Sequence, residues 1–323
     1  MVYDATLFNT DPYWDDFNED KKFLRMLFRP GRAVQARELT QLQTIIQDQI
    51  NKFGDHVFKD GSRVLGGEIS NQDVNFLRIE TTDPITTEAV NLQSLLGTEI
   101  TINTVVGDDT RKARVLYGIT GATSSNDNYY IFVQYMDGGG QFGEGEVVKG
   151  ISGANTYVAK LATTVGMEQT DATIVNGVTG TAKLTTTENG IFFVNGHFVK
   201  SAFQSTSPYG LTGTSTDIKT FLNPTSRIGF DIDSSIVEHT DDYTLRDPAS
   251  GTYNYNAPGS DRYKIELKLD FKNFVNSATY GVSGFGDANF VDLVRYVDGK
   301  IVGTHKYSNY SQIEKTLARR TYD

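Results

Sequence analysis

Apolar residues recur at intervals of three and four over one long stretch, "QARELTQLQTIIQDQINKFG", residues 35–54. Leu39, Leu42, Ile46, Ile50 and Phe53 fall on one stripe of an α-helix, and the spacing predicts a helix from about Val34 to Phe53. Lys52 in the last turn and Gly54 just beyond it read as a C-terminal stop. Elsewhere the pattern is short apolar or alternating runs between glycine turns. "VNFLRIE", "YYIFVQYM" and the alternation Ile265, Leu267, Leu269, Phe271 predict strands. "GIFFVNGHFVK" predicts a hairpin turning at Asn195-Gly196, a strong two-residue turn signal. The pattern therefore predicts a mainly β, multi-domain chain with one long N-terminal α-helix and small β-barrel or sandwich modules.

The helix itself admits two readings. Gln35, Gln41, Gln43, Gln47 and Gln49 flank or interrupt its stripe. With Leu39 at heptad position a, Leu42 is d, Ile46 a, Gln49 d and Phe53 a, and one polar seam residue is a known register device in coiled coils. The alternative is an ordinary amphipathic helix whose apolar stripe packs on a sheet.

Composition shifts divide the chain into three parts. Residues 1–54 form an arm and the helix. Residues 55–96 with 166–323 form a main β-rich domain. Residues 97–165, with short strands and the run Gly138-Gly139-Gly140, form an inserted small all-β module. In the arm, Tyr13, Trp14, Phe17, Phe23, Leu24, Leu27 and Phe28 stand among Asp15, Asp16, Glu19 and Asp20, and "EDKKFLRMLF" predicts a short helix. So apolar an arm is expected to pack on its own helix or on a neighbouring subunit.

Charge and chemistry narrow the function classes. A formal net charge of −10 argues against broad nucleic-acid binding. With no cysteine, disulfides, thiolate catalysis and cysteine zinc sites are excluded. No run approaches the roughly 20 apolar residues of a membrane helix, and the N-terminus does not read as a signal peptide. His56, His197, His239 and His305 stand in no zinc-protease spacing, and no nucleophile elbow, P-loop or dinucleotide fingerprint is present. The glycine-rich "GQFGEGEVVKG" lacks a Lys-Ser/Thr ending and reads as a turn. Acidic pairs Asp15-Asp16, Asp108-Asp109 and Asp241-Asp242 are the remaining candidates for carboxylate chemistry, and 126–128 or 241–243 for calcium, without an EF-hand pattern. Arg29, Arg32, Arg37 and Arg262 lie in Pro-Gly loops and suit either internal ion pairs or partner contacts. The residues thus assign no catalytic group, no metal and no cofactor.

Four blocks carry a resemblance. "LFRPGRAVQARELTQLQTIIQDQINKFGDHVFKDGS", "GIFFVNGHFV", "DPASGTYNYNAPGSDRYKIEL" and "KTLARRTYD" occur in this order. Together they resemble a family of tailed-bacteriophage structural proteins, common in cyanophages and other contractile-tailed phages, built on a large N-terminal domain of unknown function. The resemblance implies a structural part of a tail fibre or baseplate, assembled in the host cytoplasm and residing in the virion. It implies a homotrimer that contacts other baseplate or tail-fibre proteins, with host attachment as the wider role. Relatives continue past "LARRTYD", so the chain is expected to be the attachment region of a longer protein. The expected assembly interface is Tyr13, Trp14, Phe17, Leu39, Leu42, Ile46, Gln49, Ile50 and Phe53. The rival expectations are a receptor or glycan binder that stacks sugars on the tyrosines of "NYYIFVQY" and "SGTYNYN", and a polysaccharide depolymerase using Asp241 or Asp242.

Overall fold

The run "YYIFVQYM" is apolar at consecutive positions because both of its faces are covered. Tyr130 and Phe132 enter one core with Val74, Phe76, Leu184 and Phe221. Ile131 and Val133 enter another with Leu77, Ile79, Ile100 and Val148. A strand with this sequence has to lie inside a sheet rather than on its surface. The computed structural model describes residues 4–103, 110–120, 129–136, 140–163, 178–212, 218–221, 223–273, 289–304 and 317–321.

The first elements are helix α1 (Ala36–Val57) and strands β1 (Ser62–Gly66) and β2 (Ile69–Ile79). A short helix α2 (Leu92–Leu95) precedes β3 (Glu99–Ile102), β4 (Lys112–Ile119), β5 (Tyr129–Met136), β6 (Val147–Ser152) and β7 (Asn155–Lys160). Then come β8 (Thr179–Thr187), β9 (Gly190–Val194), β10 (His197–Ser201), β11 (Gln204–Thr206), β12 (Gly210–Thr212) and β13 (Ile218–Thr220). The last strands are β14 (Ser226–Val237), β15 (Arg262–Asn273), β16 (Phe290–Val297) and β17 (Lys300–Thr304).

These make a mainly β chain. The largest sheet has eight strands in the order β11-β8-β2-β5-β4-β3-β6-β7, and its described ladders are antiparallel. A four-stranded sheet runs β15-β14-β16-β17, and a three-stranded one β1-β9-β10. The four-stranded sheet shares a core with the three-stranded one, where Phe192 and Val194 pack with Phe230, Ile232, Leu267 and Leu269. Tyr296 links it to the large sheet: its hydroxyl donates to Asn71 Oδ1 at 3.0 Å and lies 3.2 Å from the Thr185 hydroxyl.

Three expectations change here. The strands of 97–165 do not form a sheet of their own, because β5 pairs with β2 residue for residue from Asn75↔Val133 to Ile79↔Tyr129. Nor does the expected barrel close. The sheet curls until the residues after β7 meet the end of β2 through the bridge Ile79↔Leu161, with Ala162 N donating to Arg78 O at 2.9 Å, and no full ladder closes it among the described residues. The predicted long helix is one of 22 residues, and Gly54 lies inside it rather than after it. Glycine is needed there for closeness: a Cβ on Gly54 would stand 2.4 Å from Phe193 Cε2. The Asn195-Gly196 turn does join β9 and β10, with both residues at positive φ (49° and 75°), as a primed two-residue turn requires. Ser226–Val237 is one strand of 12 residues.

Candidate assembly surface

At about 100° per residue, Gln41, Thr44, Asp48 and Asn51 point to one side of α1, and Leu39, Ile46, Ile50 and Phe53 to the other. An ordinary surface helix buries the second set. Here the polar set is buried and the apolar set faces solvent: Leu39 is 49 % exposed, Ile46 53 %, Ile50 38 % and Phe53 69 %.

The inversion has identifiable causes. The acidic arm folds back along the polar face. Buried Asp15 accepts a hydrogen bond from the Thr44 hydroxyl and another from Phe17 N at 3.1 Å. Gln41 Nε2 donates to Asp16 Oδ1 at 2.9 Å. Lys52 Nζ reaches both Asp48 Oδ2 and Glu19 Oε1 at 2.7 Å. The β9–β10 turn packs against the same face. Gln47 Nε2 donates to Gly196 O at 2.6 Å, and a Cβ on Gly196 would lie 2.5 Å from Asn51 Oδ1. Buried polar atoms with specific partners thus hold the helix by the side that composition marks as outer. The Glu38 carboxylate accepts from Gln35 N at 3.0 Å and secures the N-terminus.

The nine residues expected at an interface therefore separate into groups. Leu39, Ile46, Gln49, Ile50 and Phe53 are exposed on the outer side, and Leu42 is half-buried at its margin. Trp14 is also exposed, at φ 49°. Phe17 is buried within the chain and cannot meet a partner. Tyr13 is engaged as well: its hydroxyl donates to Asp261 Oδ2 at 2.7 Å, and its ring meets Phe8 edge-on at 5.8 Å. That hydrogen bond, reinforced by burial and by the negative charges of Asp261 and Glu238, pushes the Tyr13 pKa up to about 12. Both corrections follow from the arm folding back on its own chain.

The heptad reading also shifts. Leu39, Gln43, Ile46, Ile50 and Phe53 are exposed and alternate by four and three, and half-buried Val57 continues the spacing. Gln43 replaces Gln49 as the polar residue in the seam, and Leu42 moves to its edge. Ahead of the seam, "EDKKFLRMLF" forms only a single 3-10 turn, Glu19–Lys21, not a helix beyond it. Phe23, Leu24, Leu27, Phe28 and Val34 in the arm are all exposed as well. Arg29, Arg32, Arg37 and Arg262 are exposed too, not buried in ion pairs.

The residues considered for chemistry have local structural roles. Asp241 Oδ2 accepts from Glu238 N at 3.1 Å, and Asp242 Oδ1 from Thr244 N at 2.9 Å and the Thr244 hydroxyl at 2.7 Å. Those two bonds hold the Asp242 carboxyl below the usual carboxylate range. The Asp108-Asp109 pair, residues 126–128 and His305 lie outside the described residues. Among the described residues no cluster of three His, Asp or Glu could hold a metal ion. A shallow cleft of about 460 Å³ opens beside α2, lined by Asn91, Gln93, Tyr117, Thr120 and Tyr129 among others, none of them acidic or basic. No helix among the described residues is long and apolar enough to cross a membrane.

Geometry thus defines a mainly β chain that presents the apolar stripe of one helix to the outside. By sequence, residues 11–84 and 158–323 match the family described as Domain of unknown function (DUF4815); this is well over half of the chain, which belongs to that family. The match leaves out 85–157, where α2 and β3 to β6 lie. No curated protein and no solved structure matches the chain.

Proposed function

We propose that this chain is a non-enzymatic structural component of a phage tail, part of a tail fibre or baseplate, and that it acts by docking. One observation carries the reading: large apolar side chains are exposed on the outer side of α1 (Leu39, Ile46, Ile50, Phe53) and in the arm before it (Phe23, Leu24, Leu27, Phe28). Clustered exposure of large apolar side chains marks interaction sites. The resemblance of the four sequence blocks to tailed-phage structural proteins supplies the setting, a virion assembled in the host cytoplasm. Neighbouring baseplate or fibre proteins and further copies of the chain are the partners, and the β sheets serve as the rigid body that spaces them. No cofactor, nucleic acid or membrane insertion enters this role.

Gold-labelled antibody against the chain, applied to purified particles of the encoding phage, tests the reading. Label on the tail is the expected result. Particles that lack the chain, with all of it free in the lysate, would refute it.

A second reading, recognition of a host glycan, is favoured by the loop after β14. Tyr243, Tyr253 and Tyr255 are exposed there, on a backbone held by Asp247 N to Ala257 O at 3.0 Å and Asn256 N to Asp247 O at 2.9 Å. A glycan array showing no binding would remove it.

A further inference from the structure

We infer that the occupant of the α1 stripe is a second copy of this chain, joined through a parallel, in-register helix seam. The inference rests on the docking role above and names its partner. The exposed positions 39, 43, 46, 50 and 53 alternate four and three, and half-buried Val57 continues the spacing. That repeat is matched by another helix that carries it, because knobs from one seam fill holes in the other. From Leu39 to Val57 the seam is about 27 Å long at 1.5 Å per residue.

Charge selects a like partner. The chain carries a net charge of −10, so two copies repel unless they meet where charge is missing. The seam meets that condition. Its flanks are Thr40, Leu42, Gln47, Gln49 and His56, with no Asp, Glu, Lys or Arg among them. The charged residues of the same segment, Asp48, Lys52 and Asp55, lie on the other side of the helix, and Asp48 is paired with Lys52 at 2.7 Å. A basic partner would gain nothing from this surface, whereas an identical acidic one avoids repulsion by using it.

Gln43 sets the direction. In a parallel alignment Gln43 meets Gln43, and the two amides can hydrogen-bond to each other, since each carries a donor and an acceptor. An antiparallel alignment about the seam's midpoint places Leu39 opposite Val57, Ile46 opposite Ile50, and Gln43 opposite Phe53. The amide would then be buried against a ring with no partner, which is unfavourable.

The absence of cysteine from the chain makes the test clean. Sedimentation of the full chain over a concentration series is expected to give a multiple of 35.7 kDa. The Ile46→Asp, Ile50→Asp double variant, altered only at exposed positions, is expected to be monomeric with an unchanged circular dichroism spectrum. Under mild oxidation the Gln43→Cys variant should link to itself. A Gln43→Cys protein mixed with a Phe53→Cys protein should give no excess of the mixed pair. A monomeric wild type, or a double variant that keeps its mass, would overturn self-association. Preferential 43–53 linkage would overturn the parallel register. A monomeric wild type still found on phage tails sinks this inference alone. A self-associating chain absent from the particles upholds it and sinks the tail reading instead.

Discussion

Replacing Gly54 by alanine sets two local energies against each other. Inside a helix, glycine is about 1 kcal/mol less favourable than alanine, so on an exposed face the change would stabilise. Gly54 is buried, and the added Cβ would stand 2.4 Å from Cε2 and 2.5 Å from Cζ of Phe193. Ordinary carbon contacts begin near 3.5 Å, so ring or helix must retreat by about 1 Å. Phe193 is fully buried and hemmed by Phe58 at 5.7 Å and Phe198 at 5.3 Å between ring centroids. The helix is held in turn by Gln47 on Gly196 and by Thr44 on Asp15. Overpacking of this kind costs about 1–3 kcal/mol, and a site gripped on both sides belongs at the upper end. The net expectation is a loss of about 1–2 kcal/mol. Urea unfolding with an unchanged slope measures it. Gly303→Ala is the control, since a Cβ there meets nothing within 4 Å. A Gly54→Ala protein more stable than wild type would show that the helix does not press on Phe193.

Three further outcomes are expected. Asp15→Ala leaves the Thr44 hydroxyl and Phe17 N without their acceptor, at a cost of about 1–3 kcal/mol, and should speed proteolysis within the arm over the wild-type rate. Asp292→Ala removes the carboxylate that Arg227, itself buried, approaches at 3.2 Å and Arg295 at 2.7 Å; a loss of about 3 kcal/mol is expected in chemical denaturation, and no loss would mean that other groups hold Arg227. Burial pushes the His197 pKa below its ordinary value, although the adjacent Asn195 carbonyl opposes the shift. The unfolded chain then binds the extra proton first, so this contribution is complete above the unfolded pKa of about 6.5 and is lost as pH falls below it. Burial raises the Asp60 pKa and acts in the opposite sense, so the test is a difference: between pH 7 and 5 the stability of His197→Gln should fall less than that of wild type.

Local pattern was the legible part of this fold. The Asn195-Gly196 hairpin and the alternation of β15 are read within a dozen residues, because turn geometry and period-two burial are local properties. What the sequence hid depends on contacts made far along the chain. The apolar spacing of α1 shows that its stripe shares a face, but not which way that face turns. The direction is decided by Gln47 meeting Gly196, 149 residues away, and by Asp15 and Asp16 meeting Thr44 and Gln41. Gly54 misled for the same reason: as a stop it needs only its neighbours, but as a contact it needs Phe193. One signal could have been weighed differently. Had the stripe been an internal core, the polar side of α1 would have been free to carry charge as solvated helices do. Instead that side holds Gln41, Thr44 and Asn51, short or neutral hydrogen-bonding residues suited to a buried polar contact, and its one buried acid, Asp48, stands four residues before Lys52. A helix whose polar side is chosen for pairing, and whose apolar side is flanked by neutral amides, has both faces built for contact: one with its own chain, and one with another.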